Sequence, residues 1–304
     1  GSPLNYKEEI KMQKRKVKGI TEVVISALLY GFTPCICSIT YALGNNQTSM
    51  TFFRNLLALP VFLLLLLLEK VDLAIDRITM LKIFILGNLG SLMTTLLLYS
   101  SYQYISVGMA TTIHFLYPVL VVIFSFLFYK EPITKQKIRS ILCAGTGIVC
   151  FLLNSHTGSI IGILLAFGSS ITFSLYIMLL DKWKLTRIHG CKLLLYTTLL
   201  TVIELALVNL KGHFLIFNQS LKVYLLMVLV AVLASFVANL FLNNGVRLLG
   251  STLASFLSLF EPISSILFGF FLLHETVSIL QVVGCIAIIF AIVNLIGITG
   301  KTEI

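Results

Sequence analysis

Ionisable side chains inside long apolar stretches are the residues of this sequence best suited to chemistry. Glu261 directly precedes Pro262, and His114 lies four residues before Pro118, in both cases within an apolar segment. A carboxyl group in such surroundings must be protonated, paired, or in contact with water or a cation. An imidazole titrates near neutral pH. These two residues therefore indicate proton transfer or recognition of a charged small molecule, with a fixed structural hydrogen bond as the alternative for each.

Arg54 is a second kind of candidate, because a guanidinium group keeps its proton and suits a carboxylate. We predict either that it binds an anionic group of a ligand or that its head extends to the membrane interface as an anchor. Glu204, in a later apolar segment, is a candidate ion partner for it.

Polar residues recur at α-helical spacing in two apolar segments. They are Asn88, Ser91, Thr95, Tyr99 and Tyr102 in one, and Ser235, Asn239 and Asn243 in the other. Residues at this spacing lie on one face of a helix, so the two stripes predict a shared central cavity. Hydrogen bonding between helices is the alternative, which we favour for Ser91 and Ser235, whereas both interpretations stand for Tyr99 and Asn243.

Two prolines interrupt apolar segments and should kink the helices there. Each removes one backbone hydrogen bond and frees the carbonyl four residues earlier, which belongs to His114 or Ser258. Tyr117 lies one turn from His114, and Glu261 lies one turn from Ser258. The predicted substrate-binding residues are therefore Arg54, Tyr99, Tyr102, His114, Tyr117, Asn239, Asn243 and Glu261, and the predicted coupling residues are His114 and Glu261.

The elements that must position these residues are transmembrane helices. The 304 residues are 58% hydrophobic and 11% charged, with a mean hydropathy of +1.01, which is far too apolar for a chain that covers itself with polar groups. Segments of about 20 apolar residues cross a bilayer as helices. Ten are predicted, at 19–43, 48–69, 79–103, 107–129, 136–153, 158–180, 190–210, 221–246, 250–272 and 277–298.

The net charge of +10 follows membrane topology and does not indicate nucleic-acid binding. Of the 22 Lys and Arg residues, all but Arg54, Lys211 and Lys222 lie in the alternate loops and terminal segments that would face the cytoplasm. This distribution predicts a multi-pass protein of the plasma membrane with both termini cytoplasmic. We interpret Gly1, Ser2 and Pro3 as a remnant of cloning, and the first apolar segment as too long for a cleaved signal.

The two halves of the sequence resemble each other. A shift of 144 residues places Ser91 on Ser235, Pro118 on Pro262 and Glu131 on Glu275, and a shift of 139 residues places Thr33 on Thr172. Five helices in each half is an odd number, so the second half must enter the membrane from the opposite side. The repeat is therefore inverted, an arrangement that gives many secondary carriers two conformations around one site. A duplication retained only for packing is the alternative.

The residues that carry this repeat also resemble a known family. The stretches from His114 to Pro132 and from Leu259 to Glu275, together with Phe53-Arg54-Asn55, are similar to the repeats of EamA-type drug/metabolite transporters. The resemblance implies an all-α integral membrane fold with ten transmembrane helices in a 5+5 inverted repeat. It also implies transport of small organic metabolites without an ATP site. Two departures are that Arg54 has no counterpart in the second half and that Lys130-Glu131-Pro132 becomes His274-Glu275-Thr276.

Domain limits follow from the helices and the repeat. We predict a cytoplasmic segment at 1–18, a first five-helix repeat at 19–154, a second at 155–299 and a cytoplasmic tail at 300–304. Glu131 and Glu275 are interpreted as structural residues at helix ends. The six cysteines form no CxxC pair, so we expect neither a disulfide nor a metal site.

The leading hypothesis is a secondary transporter, an exporter or exchanger, of small amphipathic or zwitterionic metabolites such as amino acids. It would work by alternating access through a central cavity, with proton coupling left open, and as a monomer or weak dimer in the lipid bilayer. A channel or a non-transporting membrane scaffold is one alternative. An intramembrane enzyme is another, but no HExxH, GxSxG or Walker motif occurs, so we expect no enzymatic activity and no cofactor.

Overall fold

The computed structural model describes residues 3–101, 103–105, 107–153, 159–274 and 276–298. Over these residues the chain is helical and contains no β-strand. Ten helices in this part of the chain are long and apolar enough to cross a membrane, in agreement with the ten predicted segments.

We number these helices α1 to α10. Six of them are single α-helices: α1 Pro3–Ala42, α2 Gln47–Leu68, α5 Lys135–Leu153, α6 Ile160–Lys182, α7 Gly190–Gly212 and α10 Ile279–Ile298. The other four are interrupted: α3 (Arg77–Gly87, Asn88–Met93, Thr94–Ser101), α4 (Val107–His114, Tyr117–Tyr129), α8 (Leu221–Val230, Ala231–Ala238, Asn239–Leu249) and α9 (Ser251–Leu257, Phe260–Leu273). Helix α1 begins well before the predicted limit, because the basic segment before residue 19 continues the same helix.

Short polar residues begin several helices where the sequence leaves the apolar pattern. Asn46, Asp76, Ser159 and Ser220 each accept a hydrogen bond from a backbone N–H in the first turn of the helix that follows. For Asp76 at the start of α3, the hydrogen bonds from Thr79 hold the pKa of the carboxyl below its usual value.

The interruptions occur at equivalent places in the two halves. In α3 the segment Asn88–Met93 is a π-helix, and in α8 the segment Ala231–Ala238 is another, at the position that the 144-residue shift predicts. The breaks in α4 and α9 likewise lie just before Pro118 and Pro262. Prolines and π-helical turns are common causes of bending in helices.

The helices of the two halves pack across one another. Helix α1 packs mainly on α8 and α9 of the second half, and α6 packs mainly on α3 and α4 of the first half. We call these three-helix groups the α1 bundle (α1, α8, α9) and the α6 bundle (α6, α3, α4). Helices α2 and α7, which occupy equivalent places in the two halves, pack on each other. The fold is therefore a ten-helix 5+5 inverted repeat.

Helices α5 and α10 form a separate pair at equivalent places in the two halves. A Cβ atom at Gly147 would lie 2.8 Å from the carbonyl oxygen of Gly284, and one at Gly284 would lie 2.9 Å from that of Gly147. The two backbones are thus in direct contact, as small residues permit in membrane proteins. The pair carries none of the predicted site residues.

Candidate functional site

One group of polar side chains comes from helices α1, α2, α8 and α9. Tyr30 donates its hydroxyl to Asn239 Oδ1 at 2.5 Å. Arg54 on α2 interacts electrostatically with both Tyr30 and Glu261. We call Tyr30, Arg54, Asn239 and Glu261 the charged face.

The break in α9 explains how Glu261 enters this face. Ser258 and Leu259 lie between the two helical segments of α9, and the second segment begins at Phe260, with Glu261 in its first turn. The unpaired N–H groups at a helix start favour a negative charge there. Helix α1 is in close contact with α9 at this point. A Cβ atom at Gly31 would lie only 2.6 Å from the Glu261 carbonyl oxygen and 1.9 Å from Ser264 Oγ.

A second group, which we call the aromatic face, comes from α4 and α6 and consists of His114, Tyr117, Phe173 and Tyr176. The rings of Tyr117 and Phe173 meet edge to face with centroids 4.8 Å apart. Phe173 stacks on Tyr176 at 5.7 Å and lies 5.3 Å from the His114 ring. Each centroid separation is in the range of favourable aromatic contacts.

Ser169 fixes the orientation of His114. The Ser169 hydroxyl donates to the Ala166 carbonyl at 2.6 Å, and the same oxygen lies 3.0 Å from His114 Nδ1. Because a serine hydroxyl has one proton, and that proton points to Ala166, the oxygen accepts from Nδ1–H. Nε2 of His114 is then the ring nitrogen left for other interactions.

Two hydrogen bonds among the described residues join the α6 bundle to the α1 bundle at this cluster. The Tyr176 hydroxyl donates to Asn243 Oδ1 at 3.2 Å, which connects α6 to α8. The other hydrogen bond is between the hydroxyl groups of Tyr117 and Ser258, and it connects α4 to α9. Asn243 Nδ2 is buried and has no hydrogen-bond partner among the described residues, so it is available to a ligand or a water molecule.

The side chains of the cluster differ in exposure. Tyr117, Asn243 and Ser258 are buried, whereas Tyr30, Arg54, Phe173, Tyr176 and Glu261 are only half-buried. The half-buried side chains therefore keep part of their surface accessible. A small ligand bound to this cluster would contact both charged groups and aromatic rings.

Most of the predicted site residues contribute to this cluster. Arg54, Asn239 and Glu261 lie on the charged face, His114 and Tyr117 on the aromatic face, and Asn243 between them. Tyr99 lies in α3, but its side chain is outside the described residues, as are Tyr102 and Glu275. Glu131, predicted to be structural, pairs with Lys182 and Lys137 at the end of α4.

Four further residues of the cluster were not predicted from the sequence, namely Tyr30, Ser169, Phe173 and Tyr176. A signal was present, because Ser169, Phe173 and Tyr176 follow helical spacing, and Ser169 lies 139 residues after Tyr30, the shift that relates the opening helices of the two halves. Neither tyrosine stood out from the apolar sequence around it.

On α3, Asn88 from the predicted stripe and the neighbouring residue Thr94 have partners on different helices. Asn88 donates to Glu204 Oε1 of α7 at 2.9 Å, whereas Thr94 is hydrogen-bonded to Thr172 of α6 at 2.8 Å. The π-helical segment between them has more than four residues in each turn, so it rotates later residues away from the spacing of an α-helix. Glu204, the suggested partner of Arg54, is hydrogen-bonded to Asn88.

Comparisons with known proteins agree with this architecture. The sequence model of the EamA-like transporter family matches residues 17–153 and 160–297, one match for each half of the chain. The chain also matches 29 chains of solved structures. One of them, a crystal structure of a protein 15% identical in sequence, superposes with a TM-score of 0.76 over 94% of this chain and 99% of that chain. No match was found among curated proteins.

Proposed function

Because the chain belongs to the EamA-like transporter family, we propose that it is a secondary transporter of small amphipathic or zwitterionic metabolites, such as amino acids. The observation that carries this proposal is that a charged face and an aromatic face, both with half-buried side chains, come together in one cluster of helices. Transport by such a protein would be export or exchange.

The charged face suits a zwitterion because it offers both signs of charge. The Arg54 guanidinium would bind a carboxylate, and the Glu261 carboxylate would bind an ammonium group. The rings of Tyr117, Phe173 and Tyr176 would contact the apolar part of the same molecule or a cationic centre. Asn243, with a free Nδ2–H group, would add a donor between the two faces.

Alternating access requires the α1 and α6 bundles to move relative to each other. Among the described residues, Tyr176 with Asn243 and Tyr117 with Ser258 are polar contacts that join them at the site. Away from the site, the Ser251 N–H donates to Asp181 Oδ2 at 2.9 Å, and this hydrogen bond joins the end of α6 to the start of α9. These contacts would break and form as access changes, as in other carriers built from inverted repeats.

Coupling to protons would use Glu261, with His114 as the second titratable group. If the carboxyl of Glu261 binds the driving proton, Glu261→Gln should abolish accumulation driven by a pH gradient while exchange of bound cargo continues. An unchanged pH dependence in this variant would contradict that role.

The proposed orientation of the transporter in the membrane rests on the distribution of its basic residues among the loops. The basic residues concentrate in alternate loops, which supports a plasma-membrane protein with cytoplasmic termini. We propose that a monomer or weak dimer is the working unit, since each chain contains both faces of the site.

The decisive experiment is uptake and efflux of labelled amino acids by proteoliposomes. We expect flux above that of empty vesicles, with counterflow when cargo is present on both sides, and loss of flux in Arg54→Gln. No difference from empty vesicles in either gradient direction would contradict the proposal. Single-channel recording provides a second measurement, because a carrier passes no unitary currents.

A further inference from the structure

A second membrane-embedded carboxyl group lies outside the two faces. Glu204 is in the middle of α7, and its Oε1 accepts a hydrogen bond from Asn88 Nδ2 of α3 at 2.9 Å. Its other oxygen, Oε2, is buried and has no hydrogen-bond partner among the described residues. The backbones are close here, since a Cβ atom at Gly87 would lie 3.6 Å from Thr197 Cα.

Asn88 is the first residue of the π-helical segment of α3. Its Nδ2 group donates to the Phe84 carbonyl at 3.0 Å as well as to Glu204. At the end of the same segment, the Thr94 hydroxyl is 2.6 Å from the Leu89 carbonyl and 2.8 Å from the Thr172 hydroxyl. Glu204 therefore holds one end of the π-helix, and α6 holds the other.

Three helices that pack on α7 carry ionisable groups, as does α7 itself. They are Arg54 in α2, Arg77 and Lys82 in α3, and Arg247 in α8, with Cys191, Lys192, Tyr196 and Lys211 on α7 itself. Lys192 donates to the Asp72 and Ala74 carbonyls, and Tyr196 donates to the Leu73 carbonyl, so both are engaged at the far end of α7. Arg54 interacts with the charged face.

A charged carboxylate with an unpartnered oxygen is costly inside a bilayer, and a neutral carboxylic acid costs much less. We propose that Glu204 is a proton-binding site, distinct from the substrate site, whose protonation state sets the hydrogen bond to Asn88 and thereby the start of the π-helical segment of α3. Proton uptake neutralises Oε2, and proton loss leaves a carboxylate that attracts Asn88 more strongly and draws in water.

The proposal goes beyond the transport function and can be tested without knowing the cargo. The probe is the infrared C=O stretch of protonated carboxylic acids, followed in the full-length protein in lipid nanodiscs from mildly acidic to alkaline pH. We expect Glu204→Gln to lose one component that is present at neutral pH in the wild type. The glutamine side chain still accepts the hydrogen bond from Asn88, so the fold is preserved.

Glu22→Gln is the matched control. Glu22 is also a buried acid with an unpartnered oxygen, but its other oxygen lies 3.9 Å from Lys18 Nζ, so we expect a carboxylate and no change in the protonated-acid region. If Glu204→Gln does not fold, Asn88→Ala tests the same assignment, because loss of its donor should shift the frequency of the Glu204 band. Spectra of both Glu204→Gln and Asn88→Ala that superpose on the wild type at every pH would overturn the proposal.

A transport measurement separates this site from Glu261. We expect Glu204→Gln to flatten the pH profile of cargo exchange, whereas Glu261→Gln abolishes gradient-driven accumulation. Absence of any transport in the wild type would contradict the proposed function and leave the infrared result standing.

Discussion

The two halves of the molecule have the same arrangement of helices and helix breaks, but they differ in the side chains at equivalent positions. Tyr117 and Glu261 are 144 residues apart, and each follows a helix break and precedes a proline. His114 and Ser258 are related by the same shift, and Tyr30 and Ser169 by 139 residues. The two equivalent helix breaks therefore present different groups, an aromatic ring in the first half and a carboxyl group in the second.

This difference explains why both halves are needed at one site. The aromatic face uses α4 of the first half and α6 of the second, and the charged face uses α1 and α2 of the first with α8 and α9 of the second. Each face therefore contains helices from both halves. In the proposed transporter, the symmetric fold would supply two related conformations, while unlike side chains at equivalent positions would give the ligand one preferred orientation.

The contact between α1 and α9 gives the largest expected effect. At Gly31 a Cβ atom would overlap Ser264 Oγ, so Gly31→Ala must separate the helices that form the charged face. We expect a loss of about 3 kcal/mol in the free energy of unfolding, the upper part of the usual range for overpacking. Denaturant unfolding in detergent measures this change.

Gly145→Ala is the control for that prediction. A Cβ atom at Gly145 meets nothing within 4 Å, so stability should remain unchanged or rise slightly with helix propensity. Equal stability of the two variants would show that α1 and α9 are not in close contact.

The next largest effect should be the loss of cargo affinity when a charge is removed from the charged face. Arg54→Gln eliminates the permanent positive charge, and we expect cargo affinity to fall roughly tenfold or more, because hydrogen bonds to charged groups contribute about 1.5–3 kcal/mol. Ligand-induced thermal shift measures it. Arg54→Lys should recover part of the affinity, since it restores charge without the planar geometry.

Loss of one hydroxyl group tests the contacts between the faces. Tyr117→Phe and Tyr176→Phe each remove a hydrogen bond between bundles, which contributes about 1 kcal/mol, so the ratio of the two access states should change several-fold. Accessibility of single cysteines to a membrane-impermeant reagent reports that ratio. Tyr196→Phe, which loses a bond to the Leu73 carbonyl away from the site, should leave the ratio unchanged.

Apart from the control variants, Ser169→Ala, at the aromatic face, should cause the smallest change in stability of the variants considered. The variant removes the acceptor for His114 Nδ1–H but keeps the rings in place. We expect a loss of about 1 kcal/mol or less in stability, together with a shift in the pH profile of exchange if His114 carries protons. A profile identical to that of the wild type would limit His114 to a packing role.

Much of the site could be predicted because polar residues are conspicuous in an apolar sequence. Glu261, His114 and Arg54 stand out for this reason, and the prolines mark the helix breaks. Tyr30, Phe173 and Tyr176 could not be singled out, because aromatic residues are common in lipid-facing positions and their role depends on which neighbour they meet.

The α3 stripe shows a second limit. Spacing of 3.6 residues per turn placed Asn88 on the same face as Thr95, yet a π-helical segment begins at Asn88 and departs from that spacing, and Asn88 is hydrogen-bonded to Glu204 of α7. A π-turn depends on tertiary packing such as the contact of Gly90 with the Tyr176 ring, which local sequence does not encode.

The sequence by itself determined the number of membrane helices, the duplication and the chemical groups available for binding. Apolar length and the scarcity of ionisable residues are properties of the chain in lipid and do not depend on which helices are neighbours. Tertiary structure alone decided that α1 packs on α8 and α9 and that α6 packs on α3 and α4. This packing also brings the aromatic face next to the charged face. The reason is that helix pairing in a membrane rests on close packing between surfaces far apart in sequence, and those surfaces exist only after the helices have formed.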